Sequence, residues 1–215
     1  MSLSVPTYTA AQVRAAEAPL LAAGVPLMRR AASALAQVLS EHAPSRMLVL
    51  AGAGDNGGDA LFAAAMSAAS GVRVDVLRVA DRVHEEAMAA ATAAGARQIS
   101  RNELEPAVYD LVVDGILGIG ARGALRGASR DVVLALLASP YVIAVDLPSG
   151  LDPDTGAADK AVLPATTTVT FGAVKAGLTV GDGPRLGGRI VLVDLGLDLD
   201  PADAVGRATV EVRTG

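Results

Sequence analysis

The stretch "LVLAGAGDNGGDALFAA" (residues 48–64) decides how the rest of the chain reads. It carries a literal G-x-G-x-x-G at Gly52, Gly54 and Gly57, after an apolar run and before an alanine-rich helical pattern. A strand, a glycine turn and a helix in that order form the setting in which backbone amides receive a phosphate. Yet two carboxylates, Asp55 and Asp59, sit among and just after the glycines. A pyrophosphate cradle with negative charge of its own needs an explanation.

Outward from this stretch, strand and helix patterns alternate. "RMLVLAG" reads as a strand, with a helix from about Gly58 to near Gly71. "VRVDVLRV" alternates like a strand, and Asp81 is placed to cap the helix "HEEAMAAATAAG". "RQIS" is a short strand, followed by a capping-box pattern at Asn102 and Glu105. "LVVDGIL", "YVIAVDL", "ATTTVTFG" and a last "GRIVLVDLG" read as strands, and "SRDVVLALLAS" as a helix capped by Ser129. The alternation, clearest over 46–147, predicts an α/β fold with a parallel sheet covered on both faces. Residues 1–45 read as a helical preface. Thr9 and Gln12 form a capping box, Gly24 ends the first helix, and Pro26 opens a second with Met28, Ala32, Leu35 and Leu39 at helical spacing. This preface packs on the sheet or forms a dimer arm; apolar periodicity fits both, and a homodimer is expected. "GDGPRLGG" (181–188) reads as a surface loop.

Composition narrows the function. The 215 residues suit one domain. Hydrophobic residues are 52% and aromatics 2%, so the core is built from Ala, Val, Leu and Ile. A net charge of -5 without a basic run argues against nucleic acid. The absence of cysteine excludes disulfides, thiolate zinc sites and thiol nucleophiles, and fits a cytoplasmic protein. No signal-peptide pattern opens the chain and no apolar stretch is long enough for a bilayer, so no membrane association is expected.

In an open parallel sheet, ligands bind beyond the carboxyl ends of the strands. The strand ends deliver "GAGDNGGD", then Asp114 with a second G-x-G-x-x-G at Gly118, Gly120 and Gly123, then Asp146 and Ser149, then Lys175. Four carboxylates on one rim repel, or one takes up a proton, and a bound cation would relieve them. The donors are Asn, Asp, Ser and backbone oxygens, which suit a hard cation. Each Asp also has a plain reading as a helix or turn cap. Lys175 reads as a substrate contact or a surface lysine, and Arg122 as a phosphate contact or a solvated side chain. Asp75 and Asp81 are the only acids near the place where a dehydrogenase holds a ribose, one mid-strand and one a cap candidate. The P-loop signature and G-x-S-x-G are both absent.

"GAGDNGGDA", "VVDGILGIGARG", "AVDLPSGLDPDTG" and "TVTFGAVKAGL", in that order, resemble the YjeF N-terminal domain family, the NAD(P)H-hydrate epimerases. The resemblance runs from "YTAAQVRAAEAPLLAAGVPLMRRAA" to "GGRIVLVDLGLD". It implies a Rossmann-like three-layer αβα sandwich with a mostly parallel central sheet. It implies interconversion of the R and S forms of hydrated NADH or NADPH at C6 of the nicotinamide ring. One potassium ion per subunit would be held by Asn56, Asp114 and Ser149. Substrate would touch Asp55, Asn56, Gly57, Gly58 and Asp59, the loop Gly118, Ile119, Gly120, Ala121, Arg122, Gly123 and Ala124, and Asp146. Asp146 would cycle the reacting protons, with Lys175 orienting substrate or water. An ADP- or ATP-dependent dehydratase, separate or fused, would complete the repair; 215 residues are too few to include it. The cation then accounts for the acids in the glycine stretch. The chain departs from the family pattern at Asp55, usually Asn, at Ala60, usually Gly, and near Val174 and Ala176, where proline is common. The same fold also serves as a non-catalytic interaction module, a reading that the intact acidic blocks disfavour.

Overall fold

The computed structural model describes residues 2–120 and 123–215. It opens on a strand. β1 (Ser2–Tyr8) leads into α1 (Ala10–Ala22) and α2 (Leu27–Glu41). Then follow β2 (Arg46–Ala51), α3 (Asp55–Ala69), β3 (Arg73–Arg78), α4 (Glu85–Ala93), β4 (Arg97–Ile99) and β5 (Leu111–Gly115). The second half contains α5 (Gly127–Ala135), β6 (Val142–Val145), β7 (Thr167–Phe171), β8 (Val174–Lys175), α6 (Gly183–Leu186), β9 (Arg189–Asp194) and β10 (Gly206–Thr214).

The strands form one sheet in the order β4-β3-β2-β5-β6-β7-β9-β10-β1-β8. Every pairing is parallel except that of β1 with β10. Chain order reverses at β2: the chain runs outward through β3 and β4, then returns to β5 on the other side. A crevice therefore opens beyond the carboxyl ends of β2 and β5, the switch point where such folds bind ligands.

The central strands are buried on both faces, which explains their unbroken apolar runs. Side chains alternate between two cores. Met47, Val49 and Ala51 join α2, α3 and α4 on one face, with Leu35, Leu61 and Ala87. Leu48 and Leu50 point the other way, to Val132, Val133 and Leu136 around α5. The three-layer αβα sandwich expected from the sequence is present.

Several local expectations change. The helical preface begins with β1, whose Tyr8 is in register with Lys175 of β8. β10 follows the strand read as the last one and pairs with β1. Both strands are mostly exposed or half-buried and lack the unbroken apolar run that marks the central strands. The helix placed at Gly58 starts at Asp55, so the acidic stretch is a helical first turn. His84, not Asp81, caps α4: its ring nitrogen Nδ1 accepts from the Ala87 amide. The capping box read at Asn102 and Glu105 lies at Ser100 and Glu103. Ser129 lies inside α5 and donates to Val79 O instead of capping. "GDGPRLGG" contains α6, with Gly183 and Leu186 buried.

Asp75, at the right distance for a dehydrogenase ribose contact, is committed to structure. It accepts from Arg46 (2.6 Å), Arg97 (2.9 Å) and the Tyr109 hydroxyl (3.1 Å). Burial raises its pKa, but the hydrogen bonds from Arg97, Arg46 and Tyr109 more than reverse this, so the carboxyl lies below its ordinary range. The stability from a depressed carboxylate is complete above its unfolded pKa and is lost as pH falls through the folded value. Asp75→Asn is therefore expected to lower stability by about 2 kcal/mol at neutral pH and to blunt its loss in acid. Urea denaturation from pH 7 down to pH 3 checks both; identical curves would remove Asp75 from the fold's support.

Candidate active site

The site begins where α3 is seated against the sheet. A Cβ on Gly52 would lie 1.9 Å from Ile116 O, and one on Gly57 would lie 2.2 Å from Gly52 O. No side chain fits at such approaches, so these two glycines let the start of α3 close onto the ends of β2 and β5. Gly54 has open space around it and serves as the helix N-cap.

The seating delivers Asn56 to the loops after β5 and β6. Its Nδ2 donates to Leu117 O (3.0 Å) and Val145 O (2.5 Å). Gly118 lies against the amide: a Cβ there would be 2.2 Å from Asn56 Oδ1. Leu117 N donates to Ser149 Oγ (2.9 Å), and Ser149 Oγ donates to Asp114 Oδ1 (2.6 Å). Ser149 N donates to Asp114 Oδ2 (2.8 Å), and Ile116 N to Oδ1 (3.3 Å). Asp114 is fully buried. Burial pushes its carboxyl above the ordinary range, and the hydrogen bonds from Ser149 and Ile116 oppose that shift. Asn56, Asp114 and Ser149, from three separate segments, thus belong to one network bridged by Leu117.

A second cluster lies just beyond Val145. Lys175 is only 1% exposed, and its Nζ donates to Asp146 Oδ1, Phe171 O (2.9 Å) and Thr170 Oγ1 (3.2 Å). Thr170 Oγ1 donates to the same Asp146 oxygen at 3.1 Å. Of the two readings of Lys175, the surface lysine is excluded. Asp146 has φ of 68°, a left-handed conformation for a residue with a Cβ. Such a backbone costs roughly 1–3 kcal/mol and persists where its surroundings over-determine it, typically at functional sites.

Asp59 lies one helical turn after Asn56 and is 6% exposed. Its Oδ1 is sealed from solvent and has no hydrogen-bond partner. Burial raises its pKa well above the ordinary value; Asp146, Asp55 and Glu17 add to the shift and Lys175 opposes it. The rim acids of the sequence therefore divide. Asp114 belongs to the hydrogen-bonded network, Asp146 is paired with an ammonium, Asp59 is buried unpaired, and Asp55 is exposed at the helix start.

Two participants escaped the sequence reading. Arg14 Nη1 donates to Ile119 O (2.7 Å), tethering α1 to the second glycine loop. Glu17, one turn on, has its pKa raised by burial, with Lys175 opposing and Asp146 and Asp55 adding. α1 is thus a wall of the site. The only sequence signal was a charged i, i+3 pair in an alanine-rich helix, and nothing local said what it faced. Gly118, Ile119, Gly120, Gly123 and Ala124 follow β5 at the same rim, and Gly57 and Gly58 are buried in α3. Ala121 and Arg122 lie outside the described residues.

Among the described residues, no cluster of three or more His, Cys, Asp or Glu side chains is positioned for a metal. The Asn56, Asp114 and Ser149 groups instead offer an amide, a carboxylate and a hydroxyl oxygen, a set that fits a hard cation. Ser149→Ala removes a donor to Asp114 and the acceptor of Leu117 N, and is expected to cost about 1–3 kcal/mol. Chemical denaturation measures this; a change below about 0.5 kcal/mol would show that the hydroxyl does not hold the loops together.

The chain is similar to several known proteins. Residues 24–177 match the family model described as YjeF-related protein N-terminus. A protein of Microbacterium testaceum named NAD(P)H-hydrate epimerase is 61% identical over 90% of this chain and 80% of its own. A namesake from Clavibacter michiganensis is 54% identical over 94% of this chain and 95% of its own. The bifunctional NAD(P)H-hydrate repair enzyme Nnr of Mycobacterium tuberculosis is 42% identical over 95% of this chain, which spans 44% of that protein. The crystal structure of yeast ynu0 superposes with a TM-score of 0.78 at 18% identity, covering 93% of both chains, and so shares the fold. The chain belongs to the YjeF-related N-terminal family.

Proposed function

We propose that the protein is an isomerase that interconverts the R and S forms of hydrated NADH and NADPH at C6 of the nicotinamide ring. Support comes from the family, from near full-length relatives named for that activity, and from the site. The observation that carries the reading is the buried Asp146–Lys175 pair on a strained backbone, next to the Val145 carbonyl that Asn56 holds. A buried ion pair is weak evidence for stability alone, and backbone strain beside it points to chemistry.

C6 bears the hydroxyl and adjoins the ring nitrogen. The nitrogen lone pair expels the hydroxyl, which leaves as water after taking up a proton, and a planar iminium remains. Water then adds to either face of C6 and gives up a proton, and the C=N electron pair returns to nitrogen. General acid–base catalysis of such transfers contributes about 10²–10⁴-fold. Asp146 takes the proton of the adding water. Lys175 and Thr170 hold Oδ1 of that carboxyl, so the proton goes to Oδ2. Asn56, Asp114 and Ser149 would hold potassium, whose positive charge would offset the nearby acids for an anionic substrate.

The same proposal includes a dehydratase partner, separate or fused; the relatives named bifunctional repair enzymes support it. It also includes the cytoplasmic homodimer of the sequence analysis. That rests on the cysteine-free composition and on α1 and α2, which precede the central strands, beside the finding that no described helix is long and apolar enough to cross a membrane.

Asp146→Asn is expected to abolish interconversion while substrate affinity stays within about tenfold. Supplying one purified epimer and following the other by chromatography decides it, and near-normal turnover would remove Asp146 from the mechanism. Melting temperature is expected to rise more in potassium chloride than in a matched tetramethylammonium salt, because an ion bound only by the folded state stabilises it. Equal values in the two salts would count against the ion site.

A further inference from the structure

The reaction needs a proton donor for the departing hydroxyl as well as an acceptor for the incoming water. In this structure Asp146 is engaged as an acceptor: its Oδ1 receives Lys175, Thr170 and the Phe171 amide. A second carboxyl lies close by in the opposite condition. Asp59 shares a face of α3 with Asn56, whose amide bonds the carbonyl of Val145, the residue before Asp146. It is buried, and Oδ1 is unpartnered.

Four charged groups act on it electrostatically: Asp146 after β6, Asp55 from its own helix, Glu17 from α1, and Lys175 of β8. Three are acidic, and the one cation is engaged with Asp146. An ionised, unpaired carboxylate in this position would be strongly disfavoured, whereas a neutral carboxyl is itself an O–H donor. A carboxyl buried without a partner beside one that is ion-paired offers an acid and a base in separate places.

We propose that Asp59 is the acid of the reaction, giving its proton to the C6 hydroxyl as the C–O bond breaks, while Asp146 accepts the proton of the water that adds. This rests on the epimerase reading above. The hydroxyl and the Asp59 proton leave together as water, and the ring nitrogen supplies the electrons of the C=N bond. Water addition returns that pair to nitrogen and leaves Asp146 protonated and Asp59 ionised. The opposite conversion starts from that state, or a proton passes from Asp146 to Asp59 before the next turnover.

Asp59→Asn tests this, because asparagine copies the shape of a neutral carboxyl but carries no acidic proton. The variant is expected to lose about 10²-fold or more in kcat with KM within threefold. Wild-type activity is expected to fall on the alkaline side as Asp59 ionises, a limb that the residual activity of the variant lacks. An infrared spectrum at neutral pH is expected to contain a protonated-carboxyl C=O band that is missing from the variant. Because the folded pKa is raised, the stability tied to this proton is lost as pH rises through that value, and the variant is expected to lack this loss. Turnover within threefold of wild type, an unchanged alkaline limb, or identical infrared spectra would each overturn the assignment. Absence of epimerisation by the wild-type protein would instead overturn the epimerase reading, while the infrared band would still report whether Asp59 holds a proton.

Discussion

The site depends on one fully buried carboxylate. Asp114 has no exposed surface, and its two oxygens are held by the Ser149 amide, the Ser149 hydroxyl and the Ile116 amide. A buried carboxyl left without donors would cost several kcal/mol. The loops after β5 and β6 are therefore held in the arrangement that supplies those donors. The Ser149 hydroxyl passes the constraint to Leu117, and Leu117 O and Val145 O fix the Asn56 amide at the start of α3. One satisfied charge in this way sets three loop ends relative to each other.

The same rule operates differently at the other buried acids. Asp75 is satisfied by two arginines and a tyrosine hydroxyl and holds β2, β3 and the edge of the sheet together. Asp146 is satisfied by an ammonium and a hydroxyl, but on a backbone twisted into the left-handed region. Asp59 has an oxygen with no partner at all. Moving from Asp75 to Asp59, full pairing gives way to strain and then to an unmet polar atom. Stability is conceded progressively toward the crevice, as expected where side chains are arranged for a reaction.

Legibility followed the physics of each signal. The central strands were readable because burial on both faces forces unbroken apolar runs, as in "RMLVLAG" and "YVIAVDL". The Thr9–Gln12 box was readable because its pairing is local. β1 and β10 were not, since most of their residues are exposed or half-buried and neither carries an unbroken apolar run. Caps at Asp81 and Ser129 were misplaced because several residues nearby compete for the same orphan amides. At the site, Asn56, Asp114 and Ser149 were named from motif resemblance and are joined in the fold. Arg14 and Glu17 were missed, because their partners lie far off in sequence, Ile119 being 105 residues away.

By itself, then, the sequence determined which chemical groups reach the carboxyl edge of the sheet. Strand periodicity and glycine position are local properties, and they place Asp59, Asp114, Asp146, Ser149 and Lys175 at strand or helix ends without reference to the rest of the chain. Only the tertiary structure decided what each group became. Whether a carboxyl is ion-paired, hydrogen-bonded or stranded depends on burial and on neighbours brought from other segments, such as Lys175 for Asp146 and Ser149 for Asp114. Electrostatic energy varies with distance and local polarity in three dimensions, and neither is written in the order of residues along a chain.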